Sequence, residues 1–168
     1  MLALHWLPFL EASDAYGQRQ FAYRSGHGYR DASAYNVFTW IWALGSGKRV
    51  AVFCSDVSGA FDRVSAKRLL HKLKTRGVHQ SLLKLIESWL GGRTALVCVD
   101  GCLSEGFALS NMVFQGTVLG PPLWNVYYAD AWIAIQAVNF TETVFADDLN
   151  CFKLFDDATA TVTLSIRL

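Results

Sequence analysis

C-x-x-C spacing is missing from this sequence. Cys54, Cys98, Cys102 and Cys151 form no C-x-x-C pair and have no histidine near them in sequence, which argues against a zinc module, whose ligands come in tight pairs. They read as reduced, mostly buried thiols of an intracellular protein. A secretory leader is not expected either. The apolar opening from Met1 to Leu10 lacks a basic start and is broken by His5 and Pro8. No apolar run is long enough to cross a bilayer. The most hydrophobic stretch, residues 122–138, is interrupted by Asn125, Asp130 and Gln136 and falls short of the ~20 residues a spanning helix needs, so it reads as a buried helix. Charge of one sign is scarce as well: the formal net charge is +1, which by itself speaks neither for nor against a polyanionic partner. Internal repeats, low-complexity tracts and linkers do not occur.

What is present is core-forming material. In 168 residues, 52% are hydrophobic and 14% aromatic, enough for one domain with a sizeable core. The charge is unevenly placed. Residues 1–93 hold 13 basic and 6 acidic side chains, and residues 94–168 hold 2 and 8, a segregation suited to holding a polyanion with one part and metal with another.

Periodicity and breakers outline the elements. A helix end is expected over residues 2–10, then a loop, then a glycine-broken basic loop from Arg24 through Gly26, Gly28 and Arg30. Asp31 can cap a helix over residues 32–44, with Tyr35, Phe38 and Trp42 at helical spacing and Gly45-Ser46-Gly47 as its stop. Residues 50–54 read as a central strand covered on both faces, ending at Asp56. Ser65 can cap a helix through Arg76 with Leu69, Leu70 and Leu73 inward. Its outer face, Lys67, Arg68, Lys72, Lys74 and Arg76, is either a solvated face or a nucleic-acid contact. A second amphipathic helix over residues 80–90 carries Leu82, Leu85, Ile86, Trp89 and Leu90. Residues 94–99 and 107–114 read as strands around a turn at Asp100-Gly101, and residues 115–122 as a loop into the helix through Val138.

The chemistry concentrates in Thr143-Val144-Phe145-Ala146-Asp147-Asp148-Leu149-Asn150-Cys151-Phe152. Two adjacent carboxylates crest an apolar run that reads as two strands around a tight turn, and unpaired charge there is costly unless a cation compensates it. Asp156-Asp157 is an equally acidic pair in a polar setting and reads as a solvated turn or helix start, so the flanks of Asp147-Asp148 carry the signal. Asp56 likewise ends a strand. Carboxylates from two neighbouring strands can converge on one spot, as a two-metal phosphoryl-transfer site requires. Between them, Gln115 opens a loop whose missing side chains at Gly116 and Gly120 let a nucleotide or backbone approach closely.

In order and spacing these blocks resemble the reverse transcriptase of non-LTR retrotransposons, with a relation to group II intron enzymes. Asp56-Val57-Ser58-Gly59-Ala60-Phe61-Asp62 is similar to that family's first catalytic motif, residues 115–121 to its second, Phe145-Ala146-Asp147-Asp148 to its third, and the stretch from Gln20-Phe21-Ala22-Tyr23-Arg24 to Asp31-Ala32 to the segment leading into them. The resemblance implies that Asp56 and Asp147 ligate Mg²⁺, with Mn²⁺ as a possible substitute, that the Val57 carbonyl adds a ligand, and that Asp148 supports. It implies that Phe61 is a steric gate against ribonucleotides and that Gln115 and Gly116 contact nucleotide and template. Asp62 is expected only to cap a helix, and Gly26, Gly28 and Asp31 to be structural.

The expected fold is α+β: a polymerase palm, an antiparallel sheet with helices on one face, plus part of the fingers. Residues 1–49 would be the fingers portion and residues 50–168 the palm. The resemblance implies a fingers hairpin ahead of the first residue and a primer grip and thumb beyond the last. Arg24, Arg30, Lys48 and Arg49 are not expected to replace that hairpin. The expected partners are an RNA template, a DNA primer and deoxyribonucleoside triphosphates, with no membrane. Nuclear action is implied only by the family. Two alternatives stay open at this point: an RNA-dependent RNA polymerase, which shares the palm, and an inactive relic or nucleic-acid-binding remnant.

Overall fold

The computed structural model describes residues 2–156; Asp157 lies outside them. Helix α1 spans Leu2–Ala12 and α2 spans Tyr29–Gly45. Strand β1 (Arg49–Ser55) leads into a 3₁₀ turn at Phe61–Arg63, then α3 (Ala66–Thr75) and α4 (Gln80–Leu90). Four short strands follow, β2 (Arg93–Ala95), β3 (Cys98–Val99), β4 (Cys102–Leu103) and β5 (Phe107–Leu109). Helices α5 (Gly120–Tyr128) and α6 (Ala131–Ala137) precede β6 (Thr141–Phe145) and β7 (Asp148–Phe155).

The main sheet has the order β1-β7-β6 and is antiparallel throughout. Its central strand is β7. Strand β1 lies at an edge and Val52 is 43% exposed, so the run expected to be covered on both faces is only partly covered. Val and Phe favour a pleated strand whether or not both faces are buried. Helix α2 lies against one face, where the rings of Tyr35 and Trp40 meet Phe152 at 6.3 and 6.0 Å and the Thr143 hydroxyl donates to Asn36 Oδ1 at 2.7 Å. Phe38 and Trp42, on the far side of α2, are exposed. The helix starts at Tyr29 because Gly28 takes the cap position and its N–H donates to the Asp31 carboxylate at 2.7 Å.

Helices α5 and α6 come against the other face, with α3 and α4 packed around α5. Leu69, Leu73, Ile86, Leu123 and Trp124 are fully buried there. Ser65 caps α3 by accepting from the Arg68 N–H, as expected. On α4 the buried side chains are Leu83, Ile86 and Leu90, whereas Leu85 is exposed. The helix expected to run through Val138 is two helices, of which only α5 is buried. Lys72 bridges their junction, donating to the Tyr127 carbonyl and pairing with Asp130 at 2.6 Å. A carbonyl engaged by a lysine is free to leave the helical ladder.

Lys72 is therefore engaged rather than free on the outer basic face, and so is Arg76, which is exposed but donates to the Ser13 and Asp14 carbonyls at 3.2 and 3.1 Å. Lys67, Arg68 and Lys74 remain exposed. The strands around Asp100-Gly101 are shorter than expected. Residues 110–114 leave the ladder, and the Val113 N–H instead donates to the Phe61 carbonyl at 2.9 Å. Of the cysteines only Cys151 is buried; Cys54, Cys98 and Cys102 are exposed thiols, because they sit on an edge strand and on the outlying hairpin. Among the described residues no helix is long and apolar enough to cross a membrane.

Candidate active site

The register of β1 against β7 brings the acidic residues together. Ser55 lies opposite Leu149, so Asp56, the next residue, arrives beside Asp148, the first residue of β7. Asp56 and Asp148 line one depression at this end of the sheet, with Ser55 and Asn150 beside them. Both carboxylates are exposed, while Asp147, in the turn before β7, is half-buried. The Asp147 charge reaches Tyr23 and Tyr128. Burial first, and that charge in addition, raise the Tyr23 phenol above its usual value, and burial, Cys151 and Asp147 push the Tyr128 phenol up to about 12.

Around the depression the donors are mostly hard oxygens. Among the described residues no three His, Cys, Asp or Glu side chains gather closely enough to hold a metal by themselves. The Asp56 and Asp148 carboxylates on the depression are hard oxygen donors of the kind Mg²⁺ takes, its remaining positions being filled by waters and substrate phosphates.

The turn carrying Asp147 is strained and clamped. Ala146 has φ 60°, a left-handed conformation that costs a side-chain-bearing residue ~1–2 kcal/mol. Its N–H donates to Gln20 Oε1 at 3.0 Å. Its carbonyl accepts from Gln20 Nε2 at 3.2 Å and from the Trp124 indole N–H at 3.0 Å. Gln20 is itself buried, and its Oε1 also accepts from the Ala22 N–H at 3.0 Å. The backbone on either side of Gln20 docks on β6, the Val144 N–H donating to the Arg19 carbonyl and the Phe21 N–H to the Val144 carbonyl, each at 2.9 Å.

Phe61 lies five residues beyond Asp56 in the 3₁₀ turn, half-buried, stacked on Trp124 at 5.9 Å with 18° between the rings. Gln115 and Gly116 form an exposed turn, with Gly116 at φ 77°. Gly120 is required by contact: a Cβ there would lie 2.6 Å from the Phe114 carbonyl oxygen. Val57 is half-buried directly behind Asp56. Of the basic residues upstream, Arg24 is committed to Glu11 at 2.6 Å and to the Gly17 and Gln20 carbonyls, and Lys48 pairs with Asp156 at 2.6 Å. Arg30 and Arg49 are exposed.

Residues 4–161 match the family described as reverse transcriptase (RNA-dependent DNA polymerase). The chain belongs to the reverse transcriptase family. Over 121 residues it is 35% identical to the RNA-directed DNA polymerase from mobile element jockey of Drosophila funebris, a match covering 71% of this chain and 13% of that protein. The jockey polymerase of Drosophila melanogaster is 36% identical over 112 residues, 66% of this chain and 12% of its own length. The matches thus span about an eighth of the length of these curated relatives. Among solved structures, telomerase from Candida albicans, in complex with a fragment of telomeric RNA, superposes with a TM-score of 0.61 at 14% identity, covering 90% of this chain and 29% of that one. The fold is accordingly a partial reverse transcriptase palm with part of the fingers.

In this reverse transcriptase segment the sequence points to the carboxylates and conceals what holds them. Gln20 stands in the segment ahead of the catalytic motifs with no role suggested by its neighbours, and Trp124 reads as one more apolar residue of a buried helix. The available signal is weak: Ala146, without glycine's freedom, stands where a tight hairpin turn needs φ > 0, which implies that something outside the hairpin stabilises it.

Proposed function

We propose that this chain carries the catalytic palm of a retroelement enzyme that synthesises DNA on an RNA template. The observation that supports this most is the arrival of Asp56 beside the Asp147-Asp148 turn at one end of the sheet, next to an open depression. Residues 1–49 would contribute to the fingers and residues 50–168 to the palm. Asp56 and Asp147 would hold Mg²⁺, for which Mn²⁺ can substitute, with the Val57 carbonyl as a further ligand and Asp148 in support. Bound there, Mg²⁺ would supply the positive charge that activates a primer 3′-hydroxyl and offsets charge on the incoming triphosphate and the leaving pyrophosphate.

The chain's own residues do the rest. Phe61, braced from behind by Trp124, would close the space of a ribonucleotide's 2′-hydroxyl and so select deoxyribonucleotides by exclusion. Gln115, exposed on its glycine turn, would meet the incoming nucleotide, with Gly116 letting the backbone approach the base pair. Exposed Lys67, Arg68 and Lys74 can contribute phosphate contacts of the kind that supply most affinity for nucleic acid.

Primer extension tests this reading, using a DNA primer on an RNA template, deoxyribonucleotides and Mg²⁺, with Asp147→Asn as the paired control. Extension by the unsubstituted chain and its loss in the variant is the expected result. Extension with ribonucleotides alone would point to an RNA polymerase, and absent extension together with absent Mn²⁺ binding to a remnant without turnover. Phe61→Val should admit ribonucleotides; unchanged sugar selection removes the gate assignment.

A further inference from the structure

We propose that Gln20 is a positioning residue: its buried side-chain amide holds Ala146 in the left-handed conformation that sets the direction of Asp147. This deepens the metal reading above and rests on it for its consequence, but its structural basis is separate. Gln20 lies 126 residues from Ala146 in sequence, is 4% exposed, and uses one side chain to grip both the N–H and the carbonyl of the same residue. The Trp124 indole adds a second donor to that carbonyl.

A turn residue one position before a candidate ligand determines where that ligand points. Hairpin turns of two residues ordinarily take Asn, Asp or Gly at such positions because those residues adopt φ > 0 with little strain. Ala146 lacks that freedom, so the conformation must be imposed from outside the hairpin. The Gln20 amide is suited to imposing it, because it is uncharged, adding no competing charge beside Asp147, and offers both a donor and an acceptor. The same grip ties the amino-terminal segment to the palm, so the docking of residues 19–22 on β6 and the aim of Asp147 are one structural event. A ligand supported in this way loses affinity for its metal when the support is removed, even though the support never touches the metal.

The test uses Gln20→Met, close in shape and without the hydrogen bonds, Gln20→Glu, which keeps the acceptor and removes the donor, and the double variant Gln20→Met/Ala146→Gly. Mn²⁺ binding to the whole chain is followed by calorimetry, and the NMR backbone shifts of residue 146 report its φ without metal. Gln20→Met is expected to lose the left-handed signature and to bind Mn²⁺ roughly tenfold more weakly, with Gln20→Glu in between. Glycine adopts φ > 0 without assistance, so the double variant should regain both. Left-handed shifts and unchanged Mn²⁺ affinity in Gln20→Met would overturn the proposal. So would a loss that Ala146→Gly fails to rescue, which would make Gln20 a support of the fold at large. If the unsubstituted chain binds no Mn²⁺, the metal reading fails, while the shifts of residue 146 still decide whether Gln20 holds the turn.

Discussion

Two hairpins in this molecule turn through left-handed backbone, and they achieve it in opposite ways. The β3–β4 hairpin uses Asp100 at φ 51° and Gly101 at φ 80°, residue types that take this conformation locally. Its strands project from the body, with Val99 62% and Leu103 68% exposed. The β6–β7 hairpin uses Ala146, which resists the conformation, and is buried on both faces, Phe152 at 2% and Cys151 at 4% exposure. The first is a turn made by its own sequence. The second is a turn made by Gln20 and Trp124, and it is the one that carries the acidic pair. Strain held by distant groups makes a site depend on the completed fold, whereas a self-sufficient turn can form alone.

The largest expected effect is at the acidic pair. Asp147→Asn should abolish Mn²⁺ binding measured by calorimetry, while Asp156→Asn, at an exposed pair with Lys48, leaves it intact; equal effects would erase the distinction between the two acidic sites. Next comes the packing beneath the second hairpin. Trp124→Ala removes a buried ring and a clamp donor and should lower the unfolding free energy by about 3–5 kcal/mol. Leu103→Ala on the first hairpin should stay within about 0.5 kcal/mol, and urea titration compares the two directly. The turns themselves should answer with opposite signs. Gly101→Ala is expected to destabilise by about 1 kcal/mol, and Ala146→Gly to stabilise by about 0.5–1 kcal/mol, by the same left-handed penalty.

The smallest effect concerns pH. Burial, with Glu142 and Cys54 adding to it, pushes the Cys151 thiol from 9.0 up to about 11. Between those values the unfolded thiol is ionised and the native one is not, so the unfolded state binds fewer protons and stability falls as pH rises. The contribution is complete below pH 9.0 and is lost by about pH 11. Urea midpoints should be level below that window and decline through it, and Cys151→Ala should flatten the first part of the decline.

Much of the fold is legible in the sequence because it follows local rules. The stop at Gly45-Ser46-Gly47, the Ser65 cap, the amphipathic α3 and the Asp100-Gly101 turn all report on neighbours within a few residues. Three of the departures share one cause. β1 reads as central, Leu85 as inward and Cys98 as buried when apolar character is equated with burial, although hydrophobic residues also populate edges and outlying hairpins. The helix through Val138 reads as continuous because nothing nearby signals that Lys72, more than fifty residues earlier, engages the Tyr127 carbonyl.

The candidate site divides the same way. By its residue types and their order, the sequence alone determined which carboxylates stand at strand ends, that a hairpin turns about Asp147-Asp148, a turn the structure sets one residue earlier at Ala146-Asp147, and that Phe61 follows Asp56 at short range. Only the tertiary structure decided that β1 pairs with β7 in the register that sets Asp56 beside Asp148, that Phe61 leans on Trp124, and that Gln20 grips Ala146. Each of those depends on contacts between segments sixty or more residues apart. Pairing register and side-chain reach across such distances are settled by the whole core at once, so no local pattern records them.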